Sequence, residues 1–441
     1  MIRVQKTKMS YPETFVLGFG FFGVSLIWAL YNAFVPIFLK SFAISSMLVG
    51  FIMTFDNILA VVLQPYIGFL SDSTRTKIGR RKPFILIGAP LGALFFMGIP
   101  FAKLSNIFWM ILIIILMNIA MAIFRSPVIA LMPDLVPSRD RSKANGVINF
   151  MGGFGSLLAF FIGGILFDMN QSLPFLAGGV ALLISSSLVL TLIREPVISR
   201  QTDKKEKVNF AGSFKTLLSS LKNLIKDKDK SLLFILLAIF FWFCGFGTLE
   251  TFFTIYGTQY LEVTAGSASI ALGLFSLMFM VFSIPAGFIG SKIGRKKTII
   301  IGLLILIFCL FMVSMITINQ DTTTLNGLDA MFKIPRTSEF MLIQIFLVIA
   351  GIGWGCININ SLPMVVDMVT EDKVGGHTGL YYFFSMMASI VAPPLVGGVI
   401  DILSYPSMIK FSVLAFLAAL LCILFVKKGE AQDAPTLRSG I

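Results

Sequence analysis

The sequence predicts an all-α integral membrane protein, with twelve transmembrane helices in two pseudo-symmetric six-helix bundles. Three observations carry that expectation: a large apolar excess, the regular recurrence of apolar runs, and a repeat between the two halves. Of 441 residues, 56% are hydrophobic and 13% charged, about half the charged fraction of an ordinary soluble domain. The mean hydropathy is +0.91. A single water-exposed globule has no place to bury that much apolar surface, so the bilayer must be the solvent.

The apolar runs fall in order at 13–39, 44–71, 83–102, 106–133, 143–168, 172–193, 232–260, 264–291, 298–318, 338–366, 378–401 and 406–426. At roughly 20–28 residues and 1.5 Å per residue, each crosses a hydrocarbon core of about 30 Å. Lysine and arginine then set the orientation. Alternate loops hold Arg75, Lys77, Arg80, Arg81 and Lys82, then Arg139, Arg141 and Lys143, then Lys292, Arg295, Lys296 and Lys297. The intervening loops hold little more than Lys40, Lys103, Lys333, Arg336 and Lys410. The basic side is expected to be cytoplasmic. An even number of spans puts both termini there, in a multi-pass protein of the cell membrane. The residues ahead of the first run are polar and basic, and that run is too long for the core of a cleaved signal peptide.

The longest polar stretch divides the chain into expected domains: a bundle at 1–193, a lysine-rich cytoplasmic linker at 194–230, and a second bundle with a cytoplasmic tail at 231–441. The linker is expected to carry a membrane-surface helix around 214–224. A second polar stretch, 319–339, reads as an extracytoplasmic loop or lid. The halves repeat. Gly68-Phe69-Leu70-Ser71-Asp72 leads through four residues to Lys77-Ile78-Gly79-Arg80-Arg81-Lys82, and Gly287-Phe288-Ile289-Gly290-Ser291 runs directly into Lys292-Ile293-Gly294-Arg295-Lys296-Lys297. Each copy lies between the second and third span of its half. Duplicated six-helix halves are the layout of alternating-access carriers, whose substrate site is expected between the halves near the midplane.

Other classes of function are excluded on composition. The formal net charge is +13, but the charges sit in short loops between spans, which is a topology signal and not a nucleic-acid-binding patch. Cys244, Cys309, Cys356 and Cys422 each lie in an apolar run with no CxxC spacing, so neither a disulfide framework nor a zinc site is expected. The one histidine, His377, reads as lying in a polar loop. No metal, no cofactor and no enzymatic constellation is expected. Gly18-Phe19-Gly20-Phe21-Phe22-Gly23 fits GxGxxG but sits inside an apolar span with no preceding strand, so it reads as close helix packing.

Segment 68–83 resembles the hallmark loop of the major facilitator superfamily, with a glycine, an acid, and then a glycine with two basic residues. Its extra four residues, and Pro83 after the basic cluster, resemble the glycoside–pentoside–hexuronide cation symporters and the adjoining sucrose-transporter branch. Gln64-Pro65, Trp28-Ala29-Leu30, the run Ala130-Leu131-Met132-Pro133-Asp134-Leu135 and Lys143-Ala144-Asn145-Gly146 are similar to that branch in the first half. The second half carries Gly287 to Lys297 and, more loosely, Val365-Val366-Asp367 and Gly379-Leu380-Tyr381-Tyr382. The loop makes physical sense as a cytoplasmic gate, formed by Gly68, Asp72, Gly79, Arg80 and Arg81 with Gly287, Gly294 and Arg295 in the second copy. Gly68 permits close helix approach, and Asp72 can pair with Arg80 or Arg81 or cap a helix N-terminus. A structural role in setting topology competes with this reading.

Charges inside spans usually mark pathways. Asp56 lies near mid-membrane and shares a helix face with Ala60 and Gln64. A structural hydrogen-bond network with Asn57 is its alternative role. The melibiose-type sodium symporters resembled here carry two acids on this helix, at positions matching Ala60 and Gln64; the sequence departs from that pair, which counts against sodium, and a lone carboxylate in low dielectric suits a proton as coupling ion. Asp134 matches both an acid linked to proton coupling in sucrose transporters and the acid that pairs with hallmark-loop arginines in many facilitators. Glu250, after Gly245 and Gly247, is a third coupling candidate or an outer-gate hydrogen bond. Arg125, deeper in the span that Asp134 ends, is a candidate for substrate hydroxyls or for holding an acid ionised. Sugar sites need aromatic faces and amides. Trp28, Asn32, Asn57, Gln64, Trp242, Trp354, Asn358 and Asn360 offer them, each in competition with a packing role.

The resulting expectation is a monomeric secondary transporter that takes up a di- or oligosaccharide or a glycoside with protons. An exporter or antiporter of another small solute on the same fold is the alternative.

Overall fold

The computed structural model describes residues 10–136, 141–195, 229–316, 336–368 and 374–429. Thirteen helices occupy the described residues. They are α1 (Tyr11–Lys40), α2 (Ser46–Met53), α3 (Phe55–Ser73), α4 (Lys82–Lys103), α5 (Ile107–Leu135), α6 (Arg141–Met169) and α7 (Leu173–Leu192), then α8 (Ser231–Gln259), α9 (Ala265–Ile293), α10 (Arg295–Met315), α11 (Arg336–Val366), α12 (Val374–Leu403) and α13 (Ser407–Leu424). Twelve spans are long and apolar enough to cross a membrane, because α2 and α3 make one span between them, Ser46–Ser73. The protein is thus a multi-pass membrane protein. The sequence expectation for the linker helix at 214–224 lies outside the described residues, as do residues 319–335 of the second polar stretch.

Local chemistry explains the element ends. Ser45 and Asn106 cap α2 and α5 by accepting from the N–H groups of Leu48 and Trp109. Proline opens α1, α4 and α7, where its missing N–H costs nothing. Asp229 accepts the Ser231 N–H at 2.9 Å at the start of α8. The Lys428 ammonium, 2.7 Å away, and that N–H hold the Asp229 carboxyl well below the usual range. One expectation is corrected: His377 lies in the first turns of α12 and not in a loop. α12 starts several residues ahead of its apolar stretch because a helix can begin in the polar interfacial layer.

The chain forms two compact units. The first comprises Met1–Val208 together with Glu250–Ser276 and Ile390–Tyr405; the second comprises Asn209–Leu249, Leu277–Ser389 and Pro406–Ile441. The first unit therefore takes in parts of α8, α9 and α12 along with the first six spans. In it, α1 packs on α6 and α7, and α4 packs on α5 and α7. Phe34 stacks on Phe167 with centroids 4.3 Å apart, and Phe38 on Phe175 at 5.2 Å. In the second unit α10 packs on α11 and α13. Gly302 and Gly353 bring two backbones together there, and the Phe416 ring covers Gly245.

Candidate functional site

Segment 68–83 folds around a buried arginine. Gly68, near the end of α3, approaches α5 so closely that a Cβ there would lie 3.3 Å from Ser126 Oγ. The chain then turns at 76–79, where the Gly79 N–H donates to the Thr76 carbonyl at 3.2 Å and Gly79 takes a φ of 123°. That left-handed backbone is open to glycine and strained for other residues. Arg81 follows, only 4% exposed. Its guanidinium donates to Asp134 Oδ2 at 3.1 Å, to the Gly68 carbonyl at 3.3 Å, to Ser71 Oγ and to Asp72. Arg80 donates to the other Asp134 oxygen. Both oxygens of Asp134 are thus held by arginine. A buried guanidinium demands such a set of acceptors, since its charge is costly unless paired and hydrogen-bonded.

Glu195, just past α7, completes the loop. Its carboxylate accepts the backbone N–H groups of Arg80 at 2.7 Å, Arg81 at 3.1 Å and Lys82 at 2.7 Å. These are orphan donors at the α4 N-terminus, where an anion is favoured. Glu195 escaped sequence reasoning, because its partners lie more than 100 residues away and no spacing rule points to them.

The second copy keeps the plan with fewer acids. A Cβ at Gly287 would lie 3.6 Å from Ile359 of α11, and Gly294 takes a φ of 101°. Arg295 pairs with Asp367 near the end of α11. Lys296 donates to the carbonyls of Leu424 at 3.0 Å and Val426 at 2.6 Å. Ser291 stands where the first copy has Asp72.

The polar cluster of the first unit centres on a helix break. The span formed by α2 and α3 is interrupted at Thr54, whose hydroxyl turns back to the Phe51 carbonyl at 2.7 Å. Asp56 therefore falls in the first turn of α3, and its Oδ1 accepts from Asn57 N at 2.6 Å and Asn57 Nδ2 at 2.7 Å. Glu250 and Arg125 both act electrostatically on Asp56. Glu250 accepts from Asn32 Nδ2 at 2.9 Å, tying α8 to α1. Trp28, on the same helix, meets Tyr31 edge-on at 5.5 Å. Tyr31 and Asn118, 0% and 3% exposed, face each other, and neither makes a side-chain hydrogen bond of normal geometry. Sequence reasoning named Asn32 and Arg125 but missed these two. Asn118 lies two turns before Arg125 on one face of α5, which is a findable signal. Ala60 is buried, and the Gln64 carbonyl accepts from the Ser126 hydroxyl at 3.0 Å.

The candidates on the second unit are placed differently. Trp242 is fully buried, with its indole N–H unpartnered. Trp354 stacks one face on Phe246 at 4.3 Å and meets Phe243 edge-on at 5.6 Å. The Asn360 amide donates to the carbonyls of Ala286 at 3.1 Å and Cys356 at 2.9 Å, which joins α9 to α11. Asn358 is half-buried, and its carbonyl accepts from the Ser361 hydroxyl.

A twelve-span helical protein with two copies of an arginine-bearing loop, and carboxylates inside its spans, has the make-up of a membrane transporter for small molecules. The family model for the Major Facilitator Superfamily matches residues 17–332 and again 258–439, and the chain belongs to that family. It is 23% identical over 427 residues to an uncharacterized MFS-type transporter of Methanocaldococcus jannaschii, a match covering 94% of each chain. It is 28% identical over 207 residues to proton-associated sugar transporter A of Homo sapiens, across 42% of this chain and 28% of that one. It is 20% identical over 425 residues to quinolone resistance protein NorA of Staphylococcus aureus, across 95% and 98%. Among solved structures, the nucleoside transporter NupG superposes with a TM-score of 0.71 at 14% identity, covering 94% of this chain and all of that one. That likeness shows the fold.

Proposed function

We propose that this transporter is a proton-coupled symporter of a di- or oligosaccharide or a glycoside, of the glycoside–pentoside–hexuronide and sucrose-transporter branch, working by alternating access. The observation that carries the proposal is Asp56 at the Thr54 helix break, under the field of Glu250 and Arg125 and bonded to Asn57. A carboxylate inside a span is expensive unless it serves a pathway. Ala60 and Gln64 replace the acid pair that a sodium site would use. Trp28, Asn32, Asn57 and Arg125 supply an aromatic face, amides and a cation, the groups that recognise sugar hydroxyls. Asp134, held on both oxygens by Arg80 and Arg81, is better suited to the gate than to proton exchange. In this reading the basic loops face the cytoplasm, and segment 68–83 with its second copy is the gate on that side. The similarity to a human proton-associated sugar transporter, over less than half of the chain, points the same way.

A second reading, export of another solute, is favoured by the similarity to a quinolone resistance protein over nearly the whole chain. Uptake into proteoliposomes under an imposed pH gradient, with and without sodium, separates the two. The symporter reading expects glycoside accumulation that follows the proton gradient and ignores sodium. No flux for any glycoside, together with extrusion of a cationic dye, overturns it.

A further inference from the structure

Two aspartates sit where their own helices disfavour them. Asp168 lies in the last turn of α6 and Asp401 in the last turn of α12. The C-terminal turn of a helix carries partial negative charge, so an acid there is a local conflict. Each conflict is relieved by a distant helix. Asp401 accepts the N–H groups of Ser46 at 2.7 Å and Met47 at 2.9 Å, at the first turn of α2. Asp168 accepts the N–H of Gly266 at 2.9 Å, at the first turn of α9. All of these residues belong to the first unit.

The two contacts are copies of one device. α6 and α12 are the fifth spans of their halves, and α2 and α9 begin the second spans. The same offset along the chain relates Asp134 to Asp367, Asp168 to Asp401, and Gly164 to Gly397. Each fifth span therefore ends in Gly-x-x-x-Asp. The glycine seats the contact: a Cβ at Gly397 would collide with the Ser46 carbonyl, and one at Gly164 would lie 2.9 Å from the Gly266 carbonyl oxygen. From the other side, a Cβ at Gly50 would collide with the Pro393 carbonyl, and one at Gly266 with Asp168. Ser269 adds a bond to the Phe160 carbonyl at 2.9 Å, and Lys40 holds the α2 start through the Ile44 carbonyl and Ser46 Oγ, both at 3.1 Å.

We propose that Asp168 and Asp401 form a two-point latch for one end of the transporter, each carboxylate capping the first turn of the second span in the opposite half. The latch holds that end closed, and each opening of it uncovers two acids on helix C-termini and strips the Ser46, Met47 and Gly266 N–H groups of their acceptors, while Ser45 and Thr264 still cap the two helices locally. These are positioning residues of the transport cycle. Their role does not depend on the solute or the coupling ion.

The test is the separation of spin labels at Leu104→Cys and Ile402→Cys, two exposed side chains that make none of the latch's hydrogen bonds, in the full chain reconstituted without substrate. The four native cysteines are replaced first. Asn retains only one acceptor oxygen and no charge. Asp168→Asn and Asp401→Asn are each expected to move the closed-to-open ratio about tenfold toward longer separations, and the double variant further. Ser46→Pro is an independent probe. It keeps both acids and removes one donor N–H at the first helical position, where proline suits the helix, with Ser46→Ala as the control for the hydroxyl that Lys40 also reaches. It too is expected to lengthen the separation. An unchanged distribution in the double Asn variant, or in Ser46→Pro should the Asn variants fail to fold, overturns the latch.

Discussion

At the scale of single residues, the structure distinguishes acids that are committed from acids that are poised. Asp134 has both oxygens on arginine, whereas Asp56 has its bonds on neighbouring Asn57 and feels one acid and one cation at a distance. Asp56→Asn is therefore expected to keep solute exchange but lose uphill accumulation, read as counterflow against gradient-driven uptake in proteoliposomes. Normal accumulation would remove Asp56 from the proton path. Arg81→Lys should behave in the opposite manner. A lysine cannot serve Asp134, Asp72, Ser71 and the Gly68 carbonyl together, so the variant is expected to lose about 2 kcal/mol of stability, measured by thermal unfolding in detergent. Asp56 and Asp134 were both readable from sequence, because a charge in an apolar run stands out. For Asp134 the resemblance left proton coupling and pairing with the loop arginines both open, and which arginine reaches which oxygen is what separates it from Asp56. Tyr31 and Asn118 passed unnoticed for a related reason: neutral polar residues in a span carry no charge signal, and only their shared burial, facing each other without a hydrogen bond of normal geometry, marks them.

At the scale of elements, the sequence predicted the spans within a few residues, because hydropathy over a window of span length averages away local detail. It missed the break at Thr54, since Met53, Thr54 and Phe55 read as uninterrupted apolar helix. Breaks of this kind arise where a side chain competes for backbone groups, here the Thr54 hydroxyl on the Phe51 carbonyl. The start of α4 shows the same limit. Its cap is Glu195, on a segment distant in sequence. Glu195→Ala leaves three N–H groups without their acceptor and is expected to cost about 1–3 kcal/mol. Amide exchange at Arg80, Arg81 and Lys82 should speed up accordingly, and unchanged protection at these three would show that water caps α4 equally well. Gly79→Ala is expected to be worse than its size suggests. It adds strain at positive φ, and its Cβ would also press on the Glu195 carboxylate. Thermal unfolding should show a larger loss than for Gly376→Ala, where a Cβ would meet nothing within 4 Å.

At the scale of the molecule, the duplication was the most legible feature, since Gly68 to Lys82 and Gly287 to Lys297 share a recognisable order. The Gly-x-x-x-Asp repeat at the ends of α6 and α12 was equally present in the letters. It went unread because an acid at the edge of a span looks like ordinary interfacial polarity until its acceptor role is seen. Close backbone seating makes a whole-molecule prediction. Gly50→Leu puts a side chain against the Pro393 carbonyl, so transport should fall at least about tenfold while expression and membrane insertion persist. Wild-type turnover in that variant would mean that the close approach of α2 to α12 is not needed in the cycle.

Glu195 also governs how load passes through the chain. A pull that reaches an anchored side chain passes to whatever that side chain grips. Glu195 grips the first turn of α4, next to the arginines that hold Asp134. Tension arriving from beyond residue 195 is delivered to that turn before it can fray the end of α7, as a cable clamp spares the joint behind it.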